Sequence, residues 1–218
     1  MIVRNDHLMR ALQQMDAAYL QAVGQTRDQI DDDAALATVD NALANTFGTR
    51  AELIGILGTD LIDSLDPTLS AHAARLLGLR GRLLAELNQP DLAIHAMRLA
   101  HRAMMKLLDH VFEDEKREAA YHVEVLVKHP LAVYGFTTEE LEVTYTELFS
   151  YHAGQSHFDR AEDCLFHALE LTSEPDELRR RGLKFYDHLL TLPNDALDRG
   201  GLPRREVEDA RRELLELD

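Results

Sequence analysis

The strongest constraint on the fold is an internal similarity between residues 79–103 and residues 145–175. In both segments one residue is followed by apolar residues at successive steps of twelve, four and three positions. These positions are Gly81, Ala93, Met97 and Ala100 in the first segment and Phe149, Ala161, Leu165 and Ala168 in the second. Small residues at helical spacing let two helix backbones cross closely, while bulkier side chains fill the gap beside them. The similarity therefore predicts antiparallel helix pairs.

Helix start and stop signals divide the chain into three parts. An N-terminal helical hairpin is predicted over 1–48, a first clear hairpin over 67–130, and C-terminal repeats over 137–218. No strand-like alternation of useful length interrupts them. We therefore expect an all-α fold in a single domain, 1–218, because hairpins with short connections must bury their apolar faces against one another.

Two capping signals mark the starts of the second and third parts. Asp66 and Pro67 supply a cap and a first-turn proline, and Thr137 with Glu140 matches a capping box. Both signals predict where a helix begins.

A long second helix is predicted within the first clear hairpin. Pro90 opens it after a turn at Asn88-Gln89, and no residue between Asp91 and His129 is glycine or proline. The residues that recur along it at alternating steps of three and four, from Ile94 to Val125, are apolar in the first half and mixed in the second. The pattern predicts a helix over 90–129 and leaves its continuity open.

The repeated spacing resembles that of the tetratricopeptide repeat, a pair of antiparallel helices of about 34 residues. Ala93 and Ala161 are 68 residues apart, which is two such repeats. The resemblance implies a TPR-like α-solenoid, or right-handed superhelix, that binds other proteins. Met105 lies near where the repeat-ending proline of that family would fall, and Phe149 replaces its small glycine, so we expect irregular stacking.

The C-terminal third resembles an uncharacterised bacterial family of tetratricopeptide-like proteins with no assigned activity. The similar segments are AEDCLFHALEL, RRGLKFYDHLL and GGLPRREVEDARREL. This resemblance implies a bacterial protein-binding module and supplies no catalytic residues.

Charge and composition narrow the range of partners and compartments. The chain has 39 acidic and 23 basic side chains, for a formal net charge of −16, of which −12 lies in residues 110–218. Residues 70–110 are locally basic, at +3. An acidic chain repels the phosphate backbone of nucleic acids, so no nucleic-acid partner is expected.

Three further features bear on the compartment. Cys164 is the single cysteine, the N-terminal residues carry charges throughout, and no apolar run approaches the length of a bilayer span. We therefore expect a cytoplasmic protein without membrane contact.

Glu115, Glu118 and His122 follow helical steps of three and four, which would place them on one helix face. They are the weak candidates for a metal site and for a metal-dependent enzyme. Carboxylate-bridged metal sites in helical bundles use a Glu-x-x-His step, which this chain lacks. We expect Glu118 and His122 to be solvated or paired. No phosphate-binding loop or nucleophile elbow occurs either, so the sequence predicts no enzyme, no metal and no cofactor.

The sequence therefore favours a non-enzymatic protein-interaction module or scaffold. In repeat arrays the first helix of each pair lines the binding surface. The residues expected there are Arg80, Arg82, Tyr145, Tyr151 and His152. The alternative is a structural homodimer that pairs through helix 90–129.

Two further sets of charged residues each allow two interpretations. Asp163 and His167 lie on an exposed helix face or line a surface that binds a partner. The basic clusters 179–181 and 204–205 are expected to pair with nearby acids such as Glu177, or to anchor an acidic partner.

Overall fold

The structure is a computed structural model that describes residues 2–27, 32–48, 60, 62–108 and 113–216. Every regular element within these residues is a helix, and they contain no strand. The all-α fold class is confirmed. The chain divides into two compact units, Met1–Phe136 (unit 1) and Thr137–Asp218 (unit 2), which are described separately. The single domain 1–218 stays a prediction, because two compact units can belong to one domain.

The described residues of both units form helices. Those of unit 1 are α1 (Ile2–Arg27), α2 (Asp32–Phe47), α3 (Pro67–Glu86), α4 (Pro90–Leu108), α5 (Glu113–Val127) and α6 (Ala132–Gly135). Those of unit 2 are α7 (Thr138–Gly154), α8 (Phe158–Leu171), α9 (Pro175–Thr191), α10 (Asn194–Arg199) and α11 (Arg204–Glu216). The first clear hairpin corresponds to α3 and α4.

Both capping predictions are confirmed. The Asp66 side chain accepts a hydrogen bond from the Thr68 amide at 3.0 Å, immediately before the first-turn proline of α3. At the start of α7 the Thr137 amide donates to Glu140 at 2.8 Å, and the Glu140 amide donates to the Thr137 hydroxyl at 3.1 Å. Each bond satisfies an amide that has no partner inside the helix.

The segment 90–129, for which the sequence left the continuity of the helix open, is not one long helix. It forms two helices, α4 and α5, and α5 packs back against α4 and α3. A Cβ atom on Gly78 of α3 would lie 3.9 Å from both Ala100 of α4 and Leu126 of α5. The physical reason is that Ala119 and Val123 of α5, each with 0% exposure, can be buried only if the chain folds back. Residues 109–112, which connect the helices, lie outside the described residues.

The α3–α4 pair crosses closely at the repeated positions. A Cβ atom on Gly81 would lie 2.6 Å from Cγ of Met97 and 3.2 Å from the backbone carbonyl oxygen of Ala93. Ala93 and Met97 are both fully buried. The glycine therefore allows the close approach, since any side chain there would displace the facing helix.

In unit 2, α8 and α11 both pack on α9. A Cβ atom on Gly182 of α9 would lie 2.7 Å from the side chains of both Leu165 and Leu214. Phe149, which stands where the repeat pattern has a glycine, is buried and packs edge-on against Phe185, with ring centroids 5.4 Å apart. An aromatic contact with α9 thus occupies the position of the close helix crossing.

The basic clusters of unit 2 bind mainly within the unit. Arg179 donates to two backbone carbonyls near the end of α11, at 2.8 and 2.7 Å. Arg204 donates to two carbonyls near the end of α9, at 3.1 and 2.5 Å. Arg180 pairs with Glu177 at 2.7 Å, as expected. Arg179 and Arg204 thus cap helix ends and complement the negative ends of the helix dipoles.

Candidate functional site

Two neighbouring arginines of α3 have opposite environments. Arg80 is only 8% exposed, and its Nε donates to the Asp40 carboxylate of α2 at 2.7 Å. Arg82 is exposed, and no hydrogen bond or ion pair joins it to any described residue. Arg80 therefore ties α3 to α2, whereas the positive charge of Arg82 faces solvent.

Arg82 lines a groove between α3 and α5, called here the α3–α5 groove. Its floor is apolar and comes from α3, α4 and α5. Its rim carries two tyrosines, two arginines and two histidines. The lining residues are Tyr19, Ala74, Arg75, Gly78, Leu79, Arg82, Met97, Tyr121, His122, Val125, Leu126 and His129.

The sequence places these side chains by helical spacing. Arg75 and Arg82 are seven residues apart on α3, and so are His122 of α5 and His129, which follows its last turn. Seven residues are almost two helical turns, so each pair lies on one face. Apolar and small residues separate the members of each pair and form the floor. Two polar rims therefore border one apolar groove.

Arg75 is held in place by its surroundings. Its Nη1 lies 3.3 Å from the Asp16 carboxylate, and its Nε lies 3.0 Å from Glu118 Oε1 in an ion pair that is not aligned as a hydrogen bond. The guanidinium also lies 4.4 Å from the ring centroid of Tyr19, within the range of a cation–π contact. Two carboxylates thus neutralise Arg75, while Arg82 keeps its charge.

Both histidines of the groove are held in the neutral form. Burial, together with the positive charges of Arg75 and Arg82, lowers the pKa of His122 to about 4. Burial and Arg82 also lower the pKa of His129. The Leu131 amide donates to Nδ1 of His129 at 3.2 Å. The neutral His129 ring therefore carries its proton on Nε2, where it is a hydrogen-bond donor.

A second groove lies in unit 2 between α8 and α11, called here the α8–α11 groove. Asp163 and His167, which the sequence marked as a possible partner surface, both line it. Six carboxylates surround it in all. The lining residues are Glu162, Asp163, Phe166, His167, Glu170, Glu206, Asp209, Ala210 and Glu213.

One carboxylate of this second groove is partly buried. The hydroxyl of Tyr186, which is fully buried, donates to Glu162 Oε1 at 2.8 Å. Burial raises the pKa of Glu162, and the negative charges of Asp163, Glu206 and Glu213 raise it further. Burial and Glu162 also raise the pKa of the Tyr186 hydroxyl, which stays protonated. The α8–α11 groove is therefore a region of negative potential.

Comparison with protein families identifies the chain. The family model of a family of unknown function (DUF6483) matches residues 2–217. The chain belongs to this family. This match confirms that the chain belongs to a family of unknown function, as the C-terminal third predicted. Neither the curated proteins nor the solved structures contain a match to the chain. Within the described residues of this DUF6483 protein, no helix combines the length and the apolar character needed to cross a membrane.

Two of the weak metal candidates of the DUF6483 chain, Glu118 and His122, form ion-pair contacts within unit 1. Glu118 Oε1 lies against Arg75, and Nε2 of His122 lies 3.8 Å from the same oxygen. The Glu115 side chain lies outside the described residues. No group of three or more His, Cys, Asp or Glu side chains in the described part of the chain is arranged to hold a metal ion. Glu118 thus orients Arg75 at the rim of the α3–α5 groove.

The remaining predicted binding residues belong to α7 of unit 2. His152 is 1% exposed, and the half-buried Tyr151 packs edge-on against it, with ring centroids 5.2 Å apart. Tyr145 is half-buried and its ring lies 4.9 Å from that of His167. Burial leaves His152 little surface for a partner, whereas Tyr145 borders a residue of the α8–α11 groove.

Most members of both grooves could not be recognised from the sequence. Arg75 and Arg82 stood out only as part of a locally basic stretch, and His129 only as a helper of the weak metal candidate His122, so nothing joined the arginines to the histidines or to Tyr19. These residues come from separate helices, so only tertiary packing brings them together. A detectable signal was the equal seven-residue spacing of the arginines of α3 and the histidines at positions 122 and 129.

Proposed function

We propose that this protein is a non-enzymatic, TPR-like interaction module or scaffold that binds another protein or peptide in the α3–α5 groove of unit 1. The groove has an apolar floor and a rim of aromatic and cationic side chains. Tyrosine and arginine are enriched at the energetically important centres of protein interfaces. No cofactor, nucleic acid or membrane takes part in the proposed activity.

The observation that carries the proposal is the exposure of two groove residues. Tyr121 is 59% exposed, and Arg82 is exposed without an ion-pair partner among the described residues. A large aromatic ring in water and an uncompensated guanidinium both gain from a partner that covers them. Their position beside an apolar floor gives that partner a place to bury its own side chains.

Burial supports the TPR-like part of the proposal. The repeated positions after the first helix of each pair are at most 1% exposed. They are Ala93, Met97 and Ala100 on α4 and Ala161, Leu165 and Ala168 on α8. If the pairs α3–α4 and α7–α8 pack in the same way, the equally spaced residues of α4 and α8 must all be buried between helices, as they are. The proposed setting is the bacterial cytoplasm, supported by the family resemblance, the acidic charge and the single cysteine.

Burial argues against the homodimer that would pair through helix 90–129. The apolar residues of α4 that would form its interface are buried inside unit 1, with Met97, Met104 and Leu108 all at or below 7% exposure. Exposing them would remove the contacts that hold α4 in place. The metal-dependent enzyme is likewise not supported by a specific observation, because Glu118 already binds Arg75.

Affinity capture from the native cytosol tests the proposal through two tyrosines of unit 1. Tyr121→Ala removes the groove tyrosine, and Tyr134→Ala removes a tyrosine of α6 that is 79% exposed and does not line the groove. Mass spectrometry of the captured material should show a partner retained by the wild type and by Tyr134→Ala. Tyr121→Ala should lose it by about tenfold or more. Equal retention by both variants would remove the groove as the binding site.

A further inference from the structure

We propose that the α3–α5 groove recognises an acidic segment of the partner protein, with a carboxylate bound by the Arg82 guanidinium and the Nε2–H of His129. This inference rests on the proposed function, since it names the chemistry that the same groove selects. It specifies the charge of the partner segment, which the proposed function leaves open.

The first reason is the uneven neutralisation of the two groove arginines. Asp16 and Glu118 lie within 3.3 Å of Arg75, so its charge is compensated inside unit 1. Arg82, seven residues further along α3, has no such compensation among the described residues. A carboxylate can form two parallel hydrogen bonds with a free guanidinium, and an aligned pair is stronger than a neutral hydrogen bond.

The second reason is the set of donors beside Arg82. His129 presents Nε2–H because its Nδ1 accepts a hydrogen bond from the Leu131 amide. Arg82 lowers the pKa of both His122 and His129, so its positive charge acts on the far rim of the groove, although the charge of Glu86 opposes it at His129. The groove therefore combines one full positive charge with neutral donors, an arrangement that favours an anion over a cation.

The net charge of −16 does not prevent this recognition. Only −4 of it belongs to residues 1–109, and residues 70–110 are locally basic. At physiological ionic strength exposed charges are screened beyond about 8 Å. The charges within the groove therefore dominate the binding energy, while the rest of the chain slows the approach of an anion.

Binding of a carboxylate in this groove would be coupled to protonation. An anion beside a neutral imidazole favours the charged form, so His122 would take up a proton when the acidic segment binds. The Leu131 amide occupies Nδ1 of His129, so that ring stays neutral. Affinity would then rise as the pH falls from about 7 towards 5. The titratable or charged groups around these rings are Asp16, Tyr19, Arg75, Arg82, Glu86, Glu118 and Tyr121.

Isothermal titration calorimetry with a simple probe tests the inference on the full chain. The probe is a peptide of eight glutamates with blocked ends, and the matched probes are the corresponding peptides of eight glutamines and eight lysines. At pH 6.5 and physiological salt the glutamate peptide should bind with a dissociation constant of about 100 μM. The glutamine and lysine peptides should bind much more weakly. Repeating the titration in two buffers with different ionisation enthalpies should show proton uptake.

Two charge-removing variants separate the groove from general electrostatics. Arg82→Gln should weaken binding of the glutamate peptide about tenfold, because the guanidinium bonds are lost. Arg98→Gln removes the same charge from an exposed position of α4 outside the groove and should change the affinity less than about twofold. His122→Gln should reduce the proton uptake.

Three results would overturn the inference. They are no binding of the glutamate peptide up to about 1 mM, equal weakening by Arg82→Gln and Arg98→Gln, or tighter binding of the lysine peptide. A partner that is lost by Tyr121→Ala yet retained by Arg82→Gln would preserve the proposed function and remove its acidic chemistry. Arg82-dependent binding of anionic lipid vesicles or of single-stranded RNA, without binding of the glutamate peptide, would also overturn it.

Discussion

The α3–α5 groove of unit 1 and the α8–α11 groove of unit 2 have a similar construction and opposite charge. Each lies between two helices and has apolar residues among its polar lining. In unit 1 an exposed arginine is left over after Asp16 and Glu118 have neutralised its neighbour. In unit 2, Arg205 and Arg212 both lie against the one carboxylate of Asp209. The sign of a groove thus depends on which charges the packing leaves unmatched.

Protonation affects the two grooves in opposite directions. Burial disfavours the charged form of any group, so it lowers the pKa of His122 and raises the pKa of Glu162. Neighbouring charges of the same sign increase both shifts. Acidification is therefore expected to destabilise unit 1 through His122 and to relieve repulsion in unit 2 through Glu162.

The largest expected effect is the pH dependence due to His122. Its pKa is about 4 in the folded protein and 6.5 when unfolded, so the unfolded chain binds more protons between these values. The stability contribution of His122 is present above pH 6.5 and lost as the pH falls to 4, by up to about 3 kcal/mol. Urea unfolding of the wild type and of His122→Gln across this range measures it.

The difference between the two unfolding curves isolates His122 from the other titrating groups. His122→Gln should lose less stability on acidification, and His188→Gln, at an exposed site in unit 2, should follow the wild type. Parallel curves for the wild type and His122→Gln would contradict the burial of a neutral ring at the rim of the groove.

The next effect distinguishes Arg80 from Arg82, two of the three arginines of α3. Arg80→Ala leaves the partly buried Asp40 carboxylate without its partner and should lower the free energy of unfolding by about 2 kcal/mol. Arg82→Ala should change it by less than about 0.5 kcal/mol, because the side chain is exposed. Urea denaturation compares them. Equal costs would mean that the ion pair with Asp40 does not stabilise unit 1.

A smaller effect is expected from the buried hydroxyl of unit 2. Tyr186→Phe removes the hydrogen bond to Glu162 and should cost about 1 kcal/mol in unfolding free energy. It should also raise the pKa of Glu162 further, since this bond lowers that pKa in the wild type. Carboxyl-detected NMR titration measures the second change. A Glu162 pKa that falls in the variant would be incompatible with the hydrogen bond.

The smallest effect concerns the charge of Glu162 itself. Glu162→Gln keeps an acceptor for the Tyr186 hydroxyl and removes repulsion from the neighbouring carboxylates, so at pH 7 it should stabilise the protein by about 0.5 kcal/mol. Because the folded-state pKa of Glu162 is raised, its ionisation lowers stability as the pH rises through that value. Thermal unfolding should therefore show the gain at pH 7 and little gain near pH 4.

Glu208→Gln is the matched control for this last effect. Glu208 is exposed on α11 and does not line the α8–α11 groove. Its replacement removes one negative charge from unit 2 outside the groove and should leave the melting temperature nearly unchanged at both pH values. A gain equal to that of Glu162→Gln would assign the stabilisation to net charge rather than to the groove.

The parts of the fold that depend on neighbours in the chain could be predicted. The cap formed by Asp66 and the capping box of Thr137 and Glu140 each involve residues within three positions, so local spacing is sufficient to recognise them. The all-α class follows from helical periodicity without strand-like alternation. The long helix could not be judged in this way, because α4 and α5 are both helical and only their packing separates them.

In the candidate site, too, local features could be predicted from the sequence, whereas contacts between distant residues could not. Arg80 and Arg82 are two residues apart and equally basic, yet only the contact with Asp40, forty residues earlier in the chain, withdraws Arg80 from the surface. Spacing alone could pair Glu118 with His122, but it could not reveal that Arg75 would bind Glu118. Charges and their local partners were visible in the sequence, whereas partners distant in the chain were not.

Local patterns in the amino-acid sequence were enough to establish the helices, several of their ends and the repeated small positions where helices cross. Backbone hydrogen bonding and side-chain periodicity act within a few residues, so they are readable along the chain. The return of α5 onto α3, the burial of Arg80 and the opposite charges of the two grooves depended on tertiary structure. These features arise when distant helices exclude water and leave particular charges matched or unmatched, and no local pattern specifies which.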